Sequence, residues 1–332
     1  MTIKTRICML SDTHTSTPHP ATSTSTPYRH PLPAADILLH AGDLTKVGYL
    51  TEHETTLSVL ASATAELKLV IAGNHDITLD AEHFLSTGYR RHQRPERLGT
   101  ERILHTDDNL QTELRNTTKP DKTALSSYAA SIRDLWTSDG ARKAGIIYLD
   151  EGVHSFTLST GAKFTVYASA YTPEFYNWAF AYPRSQDRFN PGPQAVNPVP
   201  DYPGVAIMLT HGPPLGILDF VPPDLNVGCG HLLRAVRRAR PRVHLFGHIH
   251  EGWGARRGVW DGDGEEGVRL EEVGTDEKEV LERRGAFVDV SAESERPLRV
   301  GEETLFVNAS IMDVGYQARN APWVVDLELP VA

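Results

Sequence analysis

The stretch Leu67–Asp76 reads LKLVIAGNHD, an apolar run that ends abruptly in polar residues. A short apolar run bounded by a turn signal is typical of a buried strand, and Gly73 lets the chain turn sharply where the strand ends. Asn74, His75 and Asp76 follow that glycine directly. The stretch therefore predicts a buried strand that carries polar side chains at its carboxyl end.

Four further stretches repeat this pattern of an apolar run followed by His or Asp. They are RICMLSDTH (6–14), DILLHAGDL (36–44), GVAIMLTHGPP (204–214) and RVHLFGHIHEG (242–252). In α/β sheets, ligands bind outside the carboxyl ends of the strands. We therefore expect the polar side chains of all five stretches to converge on one edge of the fold.

Helix candidates lie between these strands, which makes the fold class α/β. Apolar residues at near-helical spacing indicate helices over Thr51–Leu67, Leu125–Trp136 and His231–Ala239. Additional strands are predicted over Gly152–Leu158, Lys163–Ala168, Thr304–Asn308 and Trp323–Leu327.

Composition excludes some classes of function. Acidic residues outnumber basic ones by 43 to 33 among 332 residues, and the formal charge of -10 argues against binding to a nucleic-acid polymer. A small phosphate substrate stays possible because bound metal ions can invert the local charge. Two cysteines, no signal-peptide core and no apolar run of about 18 residues lead us to expect a cytoplasmic protein without membrane contact. Nothing in the sequence indicates an oligomeric state.

Three segments resemble loop insertions in an otherwise single domain spanning 1–332. Residues 15–33 are rich in Ser, Thr and Pro, which predicts an irregular loop, and their position after His14 would allow them to cover the active edge. Residues 189–203 form a second Pro-rich loop. Residues 261–284 are acidic and poor in apolar side chains, which predicts a mobile excursion or a solvated helix.

The polar residues at the strand ends suit a metal-dependent hydrolase. A mixture of imidazole, carboxylate and amide oxygen favours Mn, Fe, Zn, Co or Ni. Two-metal hydrolases hold their cations about 3.5–4 Å apart, so that the pair clamps the attacking and leaving oxygens. Each short motif is weak alone, and it is their occurrence in order, each after a predicted strand, that points to this chemistry.

The ordered set DxH, GD, GNH, H and GHxH resembles the calcineurin-like metallophosphoesterase superfamily. Longer segments are similar to its metallophosphoesterase-domain-containing branch, also called the UPF0046 type: AGDLTKVG (41–48), AGNHD (72–76), YTPEFYNWAFAY (171–182), LTHGPPLGILD (209–219), LFGHIHEGWG (245–254) and FVNAS (306–310). The likeness runs from Ile7 to about Leu327. It implies a four-layer α/β/β/α sandwich of two mixed sheets.

The resemblance also implies a role for each site residue. The first metal would be held by Asp12, His14 and His250, the second by Asn74, His211 and His248, and Asp43 would bridge the two. His75 would act as general acid or as a positive clamp on the phosphate, and Asp76 would orient His75. GDLTKVG lacks the Asp and Arg that often continue the second motif, which argues against a phosphoprotein substrate.

The expected reaction is hydrolysis of small phosphodiesters, cyclic nucleotide-like or aryl, by a hydroxide that bridges the two metals, with monoesters as poorer substrates. Two alternatives stay open. The metals could serve a hydrolase or Lewis-acid enzyme acting on a non-phosphate metabolite, since function resides in the site and not in the fold. The chain could also be a non-enzymatic metal-binding scaffold.

Some residues allow two interpretations from the sequence. The aromatic block Phe175, Tyr176, Trp178, Phe180 and Tyr182 is either core packing or a wall that stacks a flat substrate group. His40 and His244 lie inside apolar runs and are expected to be hydrogen-bonded core residues or supports of the ligands. For Asn308, a supporting role near the metals and a purely structural role are equally compatible with the sequence.

Overall fold

Two mixed β-sheets face each other in the computed structural model, which describes residues 1–93, 121–260 and 267–331. Strands are numbered here in chain order. The six-stranded sheet has the spatial order β15 (Ala286–Asp289), β17 (Trp323–Pro330), β1 (Thr2–Leu10), β2 (Ile37–His40), β3 (Leu67–Val70) and β4 (Ile146–Tyr148). The seven-stranded sheet has the order β14 (Val268–Glu272), β13 (Gly254–Trp260), β16 (Glu303–Asn308), β12 (Val243–Phe246), β9 (Ile207–Thr210), β6 (Lys163–Ser169) and β5 (Gly152–Thr157).

Helices and small two-stranded sheets surround these two sheets. The longer helices span Leu50–Ser62, Lys122–Thr137, Gly230–Ala239 and Glu277–Arg283. Shorter helical segments are Ala81–His83, the π-helical turn Phe84–Gly88, Tyr89–Gln93, Asp139–Lys143 and the 3-10 turn His250–Gly252. The small sheets pair β7 (Thr172–Pro173) with β8 (Ala181–Tyr182), and β10 (Phe220–Val221) with β11 (Leu225–Asn226).

Side chains alternate along each strand of the six-stranded sheet, so the sheet contributes residues to a core on each of its two faces. In β1, Ile7 and Met9 point into the core between the sheets, whereas Leu10 packs on the outer side. The outer core also contains Leu60 and Ile132, which come from the helices Leu50–Ser62 and Lys122–Thr137. One helical layer therefore covers the outside of this sheet.

The seven-stranded sheet is built in the same way. Leu209 of β9 faces the core between the sheets, while its neighbour Met208 faces outward. Leu232 and Val236 of the helix Gly230–Ala239 pack in the same outer core as Met208. Helix, sheet, sheet and helix thus form four layers, which confirms the predicted α/β/β/α sandwich.

The strand directions bring the site-bearing loops to one edge. β1, β2 and β3 are parallel neighbours in one sheet, and β9 and β12 are parallel neighbours in the other. Ser11, just past β1, donates its backbone N–H to the carbonyl of Ala309, just past β16, at 2.9 Å. This contact ties the two sheets together where the carboxyl ends of their strands meet.

The three segments expected to be insertions differ in structure. Residues 15–33 contain no helix or strand, and they lie against the helix Leu50–Ser62 and, through Arg29 and the carbonyl of Leu281, against the helix Glu277–Arg283. Residues 189–203 are irregular, and Val199 packs under the seven-stranded sheet. Positions 261–266 lie outside the described residues, and the rest of 261–284 forms β14 and the largely exposed helix Glu277–Arg283.

Across the described ranges, no helix combines the length and the apolar character that crossing a bilayer requires.

Candidate metal centre

A first cluster of donor atoms forms where the loops after β1 and β12 meet. The side chains of Asp12, His14 and His250 place one donor atom each within 4.8 Å of one another. The Nε2 atom of His250 lies 3.5 Å from Oδ1 of Asp12 and 3.4 Å from Nε2 of His14. These are the three residues predicted to hold the first metal.

A second cluster forms from the loops after β2, β3, β9 and β12. Asp43, His211 and His248 also place their donor atoms within 4.8 Å of one another. The amide oxygen of Asn74 lies 2.8 Å from Nε2 of His211. All the residues predicted as ligands of the second metal therefore lie together.

Asp43 lies between the two clusters. Its Oδ2 atom is 3.6 Å from Nε2 of His14 in the first cluster, and its Oδ1 atom is 3.3 Å from Nε2 of His211 in the second. One carboxylate oxygen thus faces each cluster. This is the geometry that a bridging carboxylate needs.

The backbone sets the orientation of three of the imidazole rings. In His14, Nδ1 lies 3.0 Å from the carbonyl oxygen of Thr45. In His211, Nδ1 lies 2.8 Å from the carbonyl oxygen of Ala41, and in His250 it lies 3.2 Å from that of Asp313. A carbonyl can only accept, so each Nδ1 carries the hydrogen, and in the neutral ring each Nε2 keeps its lone pair. The lone pairs point at the centre, as they do in metal-binding histidines.

This donor set fits divalent cations. Because Nδ1 of both His14 and His250 is protonated, no hydrogen lies between their Nε2 atoms in the neutral rings, and two lone pairs face each other across 3.4 Å. A cation placed among these atoms removes that repulsion and also balances Asp12 and Asp43. Imidazole nitrogen with carboxylate oxygen favours transition metals such as Zn, Mn and Fe.

The histidines of the centre differ in their pKa shifts: burial lowers the pKa of two of them, whereas Asp43 outweighs burial at His211 and raises its pKa to about 9, and Asp12 outweighs burial at His250 and raises its pKa. Burial lowers the pKa of both His14 and His248 to about 3, so these rings offer lone pairs at neutral pH. Burial alone would raise the pKa of Asp12, but the hydrogen bond and charge of His250 outweigh it and lower that pKa to about 2. For Asp43, the charge of His211 likewise outweighs burial and holds the pKa well below its usual range.

The loops reach this geometry through uncommon backbone conformations. Asp12, His14, Asp43 and His248 all have positive φ, at 51°, 41°, 52° and 66°. Non-glycine residues in the left-handed region cluster at functional sites, where the surrounding structure compensates their strain. At Gly247 a Cβ atom would lie only 2.0 Å from Oδ2 of Asp12, so only glycine fits beside that carboxylate.

His75 lies at the side of the centre. Its ring centroid is 4.6 Å from that of His14 in an edge-to-face contact, and it stacks on Trp178 at 4.0 Å. Its Nδ1 atom lies 2.8 Å from the carbonyl of Lys46. Burial lowers the pKa of His75, while the charge of Asp43 and the hydrogen bond to Lys46 oppose that shift.

The orienting role expected for Asp76 is not what the structure shows. The carboxylate of Asp76 accepts hydrogen bonds from the backbone N–H groups of Leu44, Thr45 and Gly73 and from the Thr45 hydroxyl. The carbonyl of Lys46 orients the His75 ring instead. Asp76 therefore acts by fixing the loop after β2 against the loop after β3, and with it the backbone of Asp43.

A cavity of about 530 Å³ opens onto the centre. Its inner end carries Asp43, Asn74, His75, His248 and His250, and its walls come from the segments 173–178, 213–228 and 314–316. Residues 15–33 do not line it, so the loop after His14 does not cover the active edge in the way the sequence would have allowed. The ring of Tyr316 lies at the mouth, 4.9 Å from the ring of His250.

The structure also distinguishes between the interpretations that the sequence left open for the aromatic block and for the histidines inside the strands. In the aromatic block, Phe180 and Tyr182 are buried in the core, whereas Phe175 and Trp178 line the cavity and Tyr176 is exposed. His40 and His244 are buried, with Nε2 atoms 3.0 Å and 2.8 Å from the hydroxyls of Thr13 and Thr210. They support the strand ends beside Asp12 and His211.

Asn308 has a structural role at this edge. Its amide nitrogen donates to the carbonyls of Ile249 and Leu218, and its amide oxygen accepts from the backbone of Ser310. Asn308 thereby holds the loop that carries His248 and His250.

Comparison with known proteins agrees with this site. A family model described as calcineurin-like phosphoesterase matches residues 5–252, a range that contains every residue of the two clusters. Human metallophosphoesterase domain-containing protein 1 is 31% identical over 328 residues, which cover 98% of this chain and 72% of that protein. The chain therefore belongs to the calcineurin-like phosphoesterase family.

Two further proteins are similar to this chain over less than half of their own length. A UPF0046 protein of Caenorhabditis elegans is 32% identical over 231 residues, which cover 67% of this chain and 48% of that protein. Among solved structures, a purple acid phosphatase from yellow lupin seeds is 10% identical with a TM-score of 0.35, over 93% of this chain and 44% of the other. The UPF0046-type branch suggested by the longer sequence segments is thus represented among the relatives.

Proposed function

We propose that the chain is a metal-dependent phosphodiesterase that uses two divalent cations, one in each cluster, on small diester substrates. The position of Asp43 carries the proposal. Its two carboxylate oxygens lie within 3.6 Å of one histidine from each cluster, so one side chain serves both. A site for a single cation would have no use for a second complete set of donors.

Divalent cations bound there would supply an activated water at neutral pH and neutralise charge on the phosphate oxygens. The protein's own contribution is preorganisation. The carbonyls of Thr45, Ala41 and Asp313 fix the rings of His14, His211 and His250, so the donors need not reorganise during the reaction.

His75 is placed to serve the departing oxygen. It lies on the cavity wall beside His14 and Asp43 and is fixed at Nδ1 by Lys46, so its Nε2 is the atom left to meet the substrate. Burial favours the neutral ring, and the negative phosphate of a bound substrate would oppose that by stabilising the protonated ring. In the protonated form, Nε2–H donates to the leaving oxygen as it separates.

The cavity favours a small substrate with a flat or apolar group. A volume of about 530 Å³ is within the range of small-molecule sites. Beyond the metal centre the walls carry Phe175, Val221, Leu225 and Tyr316, and Arg184 is the one positively charged residue among those that line the cavity in the described part of the chain. A phosphodiester with an aryl or nucleoside-like group fits this lining better than a polymer with repeated phosphates.

Substitution of Asp43 by Asn tests the proposal, because Asn retains the shape but not the bridging charge. We expect hydrolysis of bis(4-nitrophenyl) phosphate to fall by about 10²-fold or more in buffer saturated with Mn²⁺. Asp36→Asn is the matched control, since Asp36 hydrogen-bonds Arg6 at the opposite end of the strands. Wild-type turnover by the Asp43 variant would contradict the proposal.

Metal analysis and ester assays on the wild-type protein distinguish the two alternative functions. Metal content with no hydrolysis across mono- and diesters would favour a binding scaffold. Bound metal with untouched bis-aryl phosphate but hydrolysis of carboxylic esters would favour a non-phosphate substrate.

A further inference from the structure

A three-layer stack runs from the metal centre to the protein surface. His75 packs on the indole of Trp178 with ring centroids 4.0 Å apart and planes inclined by 25°. The guanidinium carbon of Arg91 lies 3.4 Å from the centroid of the same indole. Both groups are within van der Waals distance of the ring face, so they cannot occupy the same side, and Trp178 is held between them.

From this arrangement we infer that Trp178, clamped by Arg91, is a positioning residue for His75. The inference rests on the proposed function, because it assigns the stack to the transfer of a proton to the leaving oxygen. It adds two residues that touch neither metal cluster.

Each side of the His75 ring has a separate restraint. Trp178 covers one face, the edge-to-face contact with His14 lies 4.6 Å away between centroids, and the Lys46 carbonyl fixes Nδ1 at 2.8 Å. The hydrogen bond alone would leave the ring free to swing about the N–H···O axis. The indole removes that freedom and so keeps Nε2 directed at the cavity.

Arg91 fixes the indole in turn. Its Nη2 atom donates to the carbonyl of Tyr176 at 3.0 Å and contacts that of Asn177 at 3.4 Å, the two residues before Trp178. Tyr176 and Asn177 both have positive φ, so the loop that presents Trp178 has a conformation that needs such support. Arg91 thus holds both the loop backbone and the outer face of the indole.

Stacking on substrate is the competing role for a tryptophan on a cavity wall. The face of Trp178 that looks into the site is already covered by His75, and the opposite face by Arg91. Only the ring edge is left for a ligand. Phe175, which lines the cavity and is 61% exposed, is the better candidate for stacking.

The test compares two methyl aryl phosphates that differ in the need for a proton on the leaving oxygen. Methyl 4-nitrophenyl phosphate has a good leaving group, and methyl phenyl phosphate has a poor one that depends on general acid. For Trp178→Leu we expect kcat on methyl phenyl phosphate to fall by about 10–100-fold, kcat on the nitrophenyl ester to fall by less than about 3-fold, and KM to change little.

Conservative variants keep the test informative. Trp178→Phe retains a ring face and should recover most of the lost kcat, and Arg91→Met should give a smaller loss with the same dependence on the leaving group. Tyr202→Leu is the matched control, because this aromatic residue is 46% exposed and does not line the cavity. Metal content by elemental analysis should be equal in all variants.

A double-mutant cycle gives the decisive result. In a His75→Ala background, Trp178→Leu should cause no further loss of kcat, because the residue acts through His75. A further loss in that background, an equal fall for both esters, or a rise in KM alone would overturn the inference. A loss for His75→Ala with none for Trp178→Leu would overturn the stack alone, whereas an unchanged rate for His75→Ala would overturn the acid role as well.

Discussion

Replacing Gly247 by Ala changes the metal centre by one methyl group at a known place. A Cβ atom at this position would lie 2.0 Å from Oδ2 of Asp12 and 2.1 Å from Oγ of Ser11, whereas real Cβ contacts are essentially never shorter than 3.0 Å. Asp12 must therefore move by about 1 Å. It cannot move freely, because its oxygens accept the N–H of His248 at 3.0 Å.

The size of the expected effect follows from that displacement. Metal–ligand distances tolerate only about 0.2 Å, and a 1 Å misplacement at a reacting centre costs about 10²-fold in rate. We expect Gly247→Ala to lose most of the metal in the first cluster and to hydrolyse bis(4-nitrophenyl) phosphate about 10²-fold more slowly than wild type. The fold should survive, because the change lies in a loop beyond the end of β12.

Elemental analysis and initial rates at saturating Mn²⁺ measure the two effects, with circular dichroism as the check on folding. Gly274→Ala is the matched control, since nothing lies within 4 Å of a Cβ at that position. If Gly247→Ala kept its full metal content and the wild-type rate, the assignment of Asp12 as a ligand would be refuted.

Three further predictions concern metal, charge and pH. Chelation should abolish hydrolysis and lower the free energy of unfolding by about 2.7 kcal/mol for each of the two cations, relative to protein at 100 times the metal Kd, and re-added Mn²⁺ should restore both. Arg257→Ala should reduce that free energy by about 1–3 kcal/mol in urea titrations while metal content stays unchanged, because it removes the buried one of the two arginines that pair with Glu303, whereas Arg299 keeps its contact at 2.9 Å; an unchanged unfolding midpoint would contradict this. Burial lowers the pKa of His53 from 6.5 to about 3. Between these two pH values the His53 side chain is protonated in the unfolded chain and neutral in the folded chain. The free energy of unfolding of the metal-free protein should therefore fall as the pH drops from 6.5 towards 3. This slope should be shallower in His53→Gln.

The sequence predicted that the candidate metal ligands lie together, because each of these residues lies within four positions of the end of a buried strand. Asp12 and His14 follow β1, and Asn74 follows β3, so a correct assignment of the strands was enough to place them at one edge. The four-layer arrangement came from the resemblance to a known superfamily. The residues alone indicated only α/β.

Other features depend on contacts between distant segments. Asp76 was expected to orient His75 because the two are adjacent, but the loop turns its carboxylate towards Leu44 and Thr45. The helix predicted to reach Leu67 ends at Ser62, because Ala63 is already extended and Leu67 begins β3. Nothing local in the sequence marked Tyr316 as a residue of the cavity mouth.

Strand β13 was missed for a related reason. Its sequence GARRGVW has two arginines and two glycines, a composition that does not indicate a buried strand. Arg257 is nevertheless buried, because Glu303 of the neighbouring β16 pairs with it and the carbonyls of Arg296 and Pro297 accept further hydrogen bonds from its guanidinium. A partner 46 residues away cannot be read from the local pattern.

Anomalous scattering from crystals soaked in Mn²⁺ is the most direct measurement of the metal centre. Two peaks about 3.5–4 Å apart should appear, one on each side of the Asp43 carboxylate, with His14 and His250 at one and His211 and His248 at the other. No peak at saturating Mn²⁺, or a single peak away from Asp43, would contradict a two-cation centre.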